Sequence, residues 1–155
     1  MDAVKVEKPV SEILFNQEEQ AQIINAIREA EKNTSGEIKV HVEKHCEHED
    51  VLERAKEVFL KLSLHETKLR NSVLFYLALD NQKFAILGDA GIHEIVGEDF
   101  WHEIKNHCIN HFKDNRFIEG LTEGINLAGE QLKKHFPYQN GDINEISDDI
   151  SFGKN

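Results

Sequence analysis

Hydrophobic positions along the chain follow two rhythms, and the switches between them mark the elements. Ala21, Ile24, Ile27 and Ala30, joined by Ile23, recur at helical spacing. Asn16 followed by Glu19 makes a capping-box pattern at the start of this stripe, with Phe15 placed as its hydrophobic staple, and the stripe ends near Asn33. After the break at Thr34-Ser35-Gly36, Ile38, Val40 and Val42 alternate with polar residues, the period of a strand. A polar loop over 45–50 leads to a second amphipathic helix through Leu52, Ala55, Val58, Phe59 and Leu62.

Residues 71–79 read as the most buried strand, because Val73 to Leu79 offers no polar face. Asp80-Asn81-Gln82 is a tight turn, and residues 83–87 return as the second strand of a hairpin. Gly88-Asp89-Ala90-Gly91 reads as a turn; it lacks the Gly-Lys-Ser/Thr of a phosphate-cradling loop. Glu98 and Asp99 then open a helix through Phe100, Ile104, Cys108 and Phe112. A last helix carries Phe117, Leu121, Ile125, Ala128 and Leu132 and stops at Pro137.

The order is α-β-α-β-β-α-α. A strand–helix–strand unit joining the first two strands is expected to be parallel and right-handed, which puts helices on both faces of the sheet. The expected class is α/β, a three-layer α/β/α sandwich around a small mixed sheet. Residues 1–15 are read as a lead-in, 16–137 as the domain, and 138–155 as an acidic, loosely ordered tail. With the first two strands parallel, Glu37 and Asn71 begin at one edge of the sheet, and the third strand returns Asp89 to it. Glu37, Thr67, Arg70 and Asp89 can then converge, while Asp80 sits at the opposite edge.

Composition narrows the function. The 155 residues carry 18 Lys and Arg against 29 Asp and Glu, a net charge of −11. That field repels phosphate backbones and anionic lipid, so neither a nucleic-acid partner nor membrane insertion is expected, while divalent cations and a protein partner stay open. The longest apolar run has seven residues, far short of the ~20 of a spanning helix. No stretch of signal-peptide type opens the chain, and two cysteines make no disulfide framework; the expectation is a soluble, cytoplasmic protein with free thiols.

Several clusters could carry chemistry. His41, His45 and His48 are possible zinc or nickel ligands, but a solvated loop is the commoner meaning of such a stretch. His107 and His111 lie four apart on a helix, with Cys108 nearby and no acidic third ligand at fixed spacing; a surface pair is the expectation. No Gly-x-Ser-x-Gly elbow is present, and Cys108 is expected to pack in the core. The carboxylates Glu37, Asp80, Asp89 and Asp99 all sit at element ends, where backbone carbonyls are also free to bind a hard cation such as calcium or magnesium.

Thr34-Ser35-Gly36-Glu37-Ile38, Arg70-Asn71-Ser72-Val73-Leu74 and Phe84-Ala85-Ile86-Leu87-Gly88-Asp89-Ala90-Gly91-Ile92 resemble the TPM domain. Phe100-Trp101, Gly120 with Gly124, the run from Leu132 to Pro137 and the run from Asn144 to Asp149 are similar to its short bacterial branch. That family includes thylakoid-lumen proteins tied to photosystem II repair. The resemblance implies a three-layer α/β/α domain, divalent-metal binding at positions matching Asp89, Asp80 and Asp99, and an acid-phosphatase activity like that of the plant members. Two functions are therefore expected as alternatives: a module that binds calcium or magnesium, and a metal-dependent hydrolase of phosphate monoesters.

Overall fold

The computed structural model describes residues 15–138 and 145–153. Helix α1 (Gln17–Glu31) begins at a capping box in which Asn16 Oδ1 accepts from the Glu19 amide at 2.8 Å and Glu19 returns the bond at 3.0 Å. Strand β1 (Glu37–Glu43) follows, then α2 (Val51–Lys61), capped by Asp50. Strands β2 (Ser72–Ala78) and β3 (Lys83–Gly88) form the hairpin, with Gln82 at φ 52° in its turn. Helices α3 (Ala90–Lys113) and α4 (Phe117–His135) come next, and a two-residue strand β4 (Ser151–Phe152) ends the order.

The sheet runs β3-β2-β1-β4. β1 pairs parallel with β2, Glu37 opposite Ser72 through Glu43 opposite Ala78, and β3 pairs antiparallel with β2. On one face Ile38, Val40, Val42, Val73, Phe75, Leu77, Phe84 and Ile86 meet Ile23 and Ile27 of α1, Ile104 and Cys108 of α3, and Leu121 and Ile125 of α4. On the other face α2 lays Ala55, Val58 and Phe59 over Leu74, Tyr76, Ala78 and Ala85. The class is α/β with a mixed sheet, and helices cover both faces. No helix among the described residues is long and apolar enough to cross a membrane.

Two local expectations need correcting. The Gly88–Gly91 segment is not a free-standing turn: Asp89 is the N-cap of α3, and Ala90 and Gly91 form its first turn. The helix therefore starts well before Glu98. It breaks at Gly97, which sits at φ 75°, so Glu98 and Asp99 open only its second segment. Gly91 is required where it stands, since a Cβ there would strike the carbonyl oxygens of Leu69 and Arg70.

The second correction concerns the tail. Residues 145–153, expected to be loosely ordered, lie alongside β1. The side chains of Glu37, Lys39, His41 and Glu43 share the face whose apolar cover by α2 lies over β2 and β3, yet all four are buried. Arg54 of α2 reaches over Glu43, and residues 145–153 do the rest of the covering. Lys39 Nζ donates to the carbonyls of Ser147 (3.1 Å) and Asp149 (2.6 Å), His41 pairs with Ser151 Oγ at 2.8 Å, and the Gly153 amide donates to the Val42 carbonyl.

Candidate metal centre

The parallel pairing sets Glu37 beside Ser72 at the end of the sheet where both strands begin. The loop before β2 brings Thr67, Arg70 and Asn71 to that end, with the Arg70 amide on the Thr67 carbonyl and the Glu37 amide on the Asn71 carbonyl. β3 runs back, and the Asp89 amide donates to the Ser72 carbonyl at 2.9 Å. Glu37, Thr67, Arg70 and Asp89 thus occupy one end of the sheet.

Asp89 and Glu37 are both buried there, at 6% and 2% exposure, but their carboxylates differ. Asp89 Oδ1 accepts from the Ala90 amide and Arg70 Nη2, each at 2.8 Å, and its Oδ2 accepts from Arg70 Nε at 2.6 Å. This fork geometry uses both oxygens. On Glu37, Oε1 accepts from the Glu145 amide at 2.7 Å, and the Ile146 amide also faces the carboxylate. Oε2 has no hydrogen-bond partner among the described residues. Burial, reinforced by the charges of Glu145 and Asp148, pushes the Glu37 carboxyl up to about 7 against the pull of those amides.

Among the described residues, three more buried oxygens at this end lack a partner: Thr67 Oγ1, Asn71 Oδ1 and Ser72 Oγ. Each such atom costs about 1–3 kcal/mol if nothing answers it. A carboxylate, an amide carbonyl and two hydroxyls are the oxygen donors that a hard cation takes, with water completing the shell. A cleft of about 300 Å³, lined by Lys39, Ser63, Thr67, Glu145 and Ser147 among others, opens at Thr67 and at the segment whose amides rest on Glu37. Glu37 therefore fits a calcium or magnesium ligand, whereas Asp89 is committed to Arg70 and to capping α3.

The other two candidate carboxylates lie elsewhere. Asp80 is in the β2–β3 turn at the opposite end of the sheet, exposed and facing His45 at 3.6 Å. Asp99 is exposed on the second segment of α3. The histidines of the 41–48 stretch are also dispersed. His41 is buried between Ser151 and Glu43 and stacks on Tyr76, while His48 faces Glu57 at 3.1 Å.

The sequence reading did not single out the side chains of Asn71 and Ser72. Their signal was present, two polar residues immediately before a wholly apolar strand, but only the cross-strand register shows that Ser72 adjoins Glu37.

The far end of the same β1 face is fully paired. Glu43 takes hydrogen bonds from His41, Arg54 and Tyr76. Burial raises its carboxyl, but those bonds and the Arg54 charge outweigh it and hold the group at about 2. Beside Glu37, the Glu31 carboxyl accepts from the Ile38 amide at 2.8 Å. Burial, then a hydrogen bond shared with Asp148, pushes it up to about 10.

Comparison with known proteins agrees with this architecture. Residues 11–131 match the family model of the TPM domain. The chain is 45% identical to a protein solved by NMR, BA42 from the psychrophilic bacterium Bizionia argentinensis, with a TM-score of 0.82 over 96% of this chain and 99% of that one. No curated protein matches significantly. With the family model spanning most of its length and a near-complete structural counterpart at that identity, the chain belongs to the TPM domain family.

Proposed function

We propose that this TPM domain is a binding module for a hard divalent cation, calcium or magnesium, anchored by Glu37 at the shared end of β1 and β2. The observation that carries this reading is Glu37 Oε2, a carboxylate oxygen with no hydrogen-bond partner among the described residues, on a residue 2% exposed. Thr67, Asn71 and Ser72 would supply neutral oxygens. A bound cation would supply the positive charge that lets Glu37 ionise in its buried setting. Arg70 and Asp89 hold the loop and the start of α3 in place beside these donors. Because the Glu145 amide rests on the same carboxylate, occupancy would be felt by the segment that covers β1.

Hydrolysis of phosphate monoesters remains the alternative carried by the family resemblance. It draws less on the geometry: Arg70, the group suited to neutralising a phosphoryl charge, is already engaged bidentately by Asp89.

A thermal melt of chelator-treated protein, titrated with calcium and magnesium, tests the module. A ligand that binds only the folded chain adds about 2.7 kcal/mol at a hundredfold excess over its Kd. The expected result is a rise with calcium or magnesium that Glu37→Gln abolishes and that Asp80→Asn and Asp99→Asn leave intact. No rise, or a rise indifferent to Glu37→Gln, sinks the assignment.

A further inference from the structure

We infer that the α3–α4 hairpin carries a second, chemically different metal site, for zinc or a similar borderline transition ion, made by His107, His111 and Glu123. One ligand atom from each lies within 4.8 Å of the others, the one such group of three among the described residues. Its donors are two imidazole nitrogens and a carboxylate oxygen, a set that zinc accepts and calcium does not favour.

The local structure explains the convergence. His107 and His111 stand one turn apart on α3, with ring centroids 5.0 Å apart. Glu123 reaches them from α4 because the two helices pack closely where α4 is glycine. A Cβ at Gly120 would crowd Phe112 and the Cys108 carbonyl, and one at Gly124 would run into Cys108 Sγ. Glu123, next to Gly124, is thereby carried over the histidine pair.

The orientation of the rings supports coordination. His111 Nδ1 lies 3.0 Å from the His107 carbonyl, which can only accept, so Nδ1 carries the hydrogen. That leaves the lone pair of His111 Nε2 toward Glu123 Oε2, at 3.3 Å. Backbone anchoring of the second ring nitrogen is the usual support of a metal-bound histidine. Tetrahedral ligands at about 2.0–2.1 Å from zinc sit about 3.3 Å from one another, so this pair needs no movement. His107 Nε2 hydrogen-bonds the same carboxylate oxygen; zinc would displace that proton to solvent, and this pair would open to the same separation.

Cys108 is not a fourth ligand. Its Sγ donates to the Gly120 carbonyl at 3.2 Å inside the core, and burial pushes the thiol up to about 12. Three protein ligands therefore leave one position for water. The ion has access, since His107 and Glu123 are 44% and 46% exposed at their side chains.

The site is independent of the calcium or magnesium reading, and its test separates the two. Tag-free, chelator-treated protein is titrated with zinc chloride by calorimetry, with histidine ring nitrogens followed by NMR. One zinc per chain is expected, with shifts at His107 and His111 Nε2 and none at His41. His107→Ala and Glu123→Gln should each weaken zinc at least tenfold, whereas Glu37→Gln should not change it. Metal-free melts confirm that both variants remain folded, and His107→Gln serves in place of His107→Ala if that variant does not. Failure to bind zinc below millimolar concentration overturns the site. So does binding that survives both substitutions, which would put the ion elsewhere.

Discussion

Strand β1 is buried on both faces by opposite means. Ile38, Val40 and Val42 disappear under α1 and α4, in contacts that are non-directional and indifferent to pH. Glu37, Lys39, His41 and Glu43 are buried almost as deeply under a stretch of irregular chain and Arg54 of α2, through hydrogen bonds and ion pairs that depend on protonation and geometry. The first face explains why the domain folds. The second explains how it could respond, since the groups that hold it together are those that protons and cations address. At the Glu43 end every charge is answered; at the Glu37 end an oxygen is left over, and that asymmetry locates the candidate metal centre.

Substitutions can break the comparison. The largest effect is expected on the apolar face: Ile38→Ala should cost about 2–5 kcal/mol in denaturant unfolding, with little change in that cost between pH 5 and 8. A loss below 1 kcal/mol would contradict the division of labour between the faces.

The pH dependence belongs to the other face. Glu37 stays protonated in the folded chain up to about 7, while its ordinary value is 4.5. Between those values the folded state holds more protons than the unfolded one, so this group's contribution is full below about 4.5 and is lost as pH rises through about 7. Metal-free Glu37→Gln should therefore remove a destabilising slope of at most ~1.4 kcal/mol per pH unit in that window. Parallel stability curves for the two proteins would refute the buried, protonated state of Glu37.

The smallest effect sharpens the role of the covering segment. A Cβ at Gly153 would collide with the Glu43 side chain, which Arg54 and Tyr76 prevent from moving away. Gly153→Ala is expected to cost about 1 kcal/mol. Amide exchange should quicken at Gly153, whose bond to Val42 would be strained, and stay unchanged in β2.

The hairpin, the parallel pair and the amphipathic helices were legible because each writes a period into the chain. Glu37, Thr67, Arg70 and Asp89 could be placed at one edge from topology alone, a consequence of strand direction rather than of any motif. What could not be read was everything set by distant partners. The alternation Glu-Lys-His-Glu along β1 has the look of a solvent-facing side, and most of its cover comes from residues about a hundred positions later, with Arg54 and Tyr76 closing over Glu43. That later segment is acidic and lacks periodicity, so its own composition argues against order. The same limit applies to Asp89, whose engagement by Arg70 turns a plausible ligand into a helix cap, and to Glu123, which completes a histidine pair from the next helix.

The outer neighbour of β1 also sets a schedule for biosynthesis. His41 waits for Ser151, 110 residues downstream, which at ~5–20 residues per second is about 5–20 s of translation. Throughout that interval β1 is the open border of a growing sheet, the kind of surface on which nascent chains zip together. Its charged row disfavours pairing with other strands until residues 145–153 arrive.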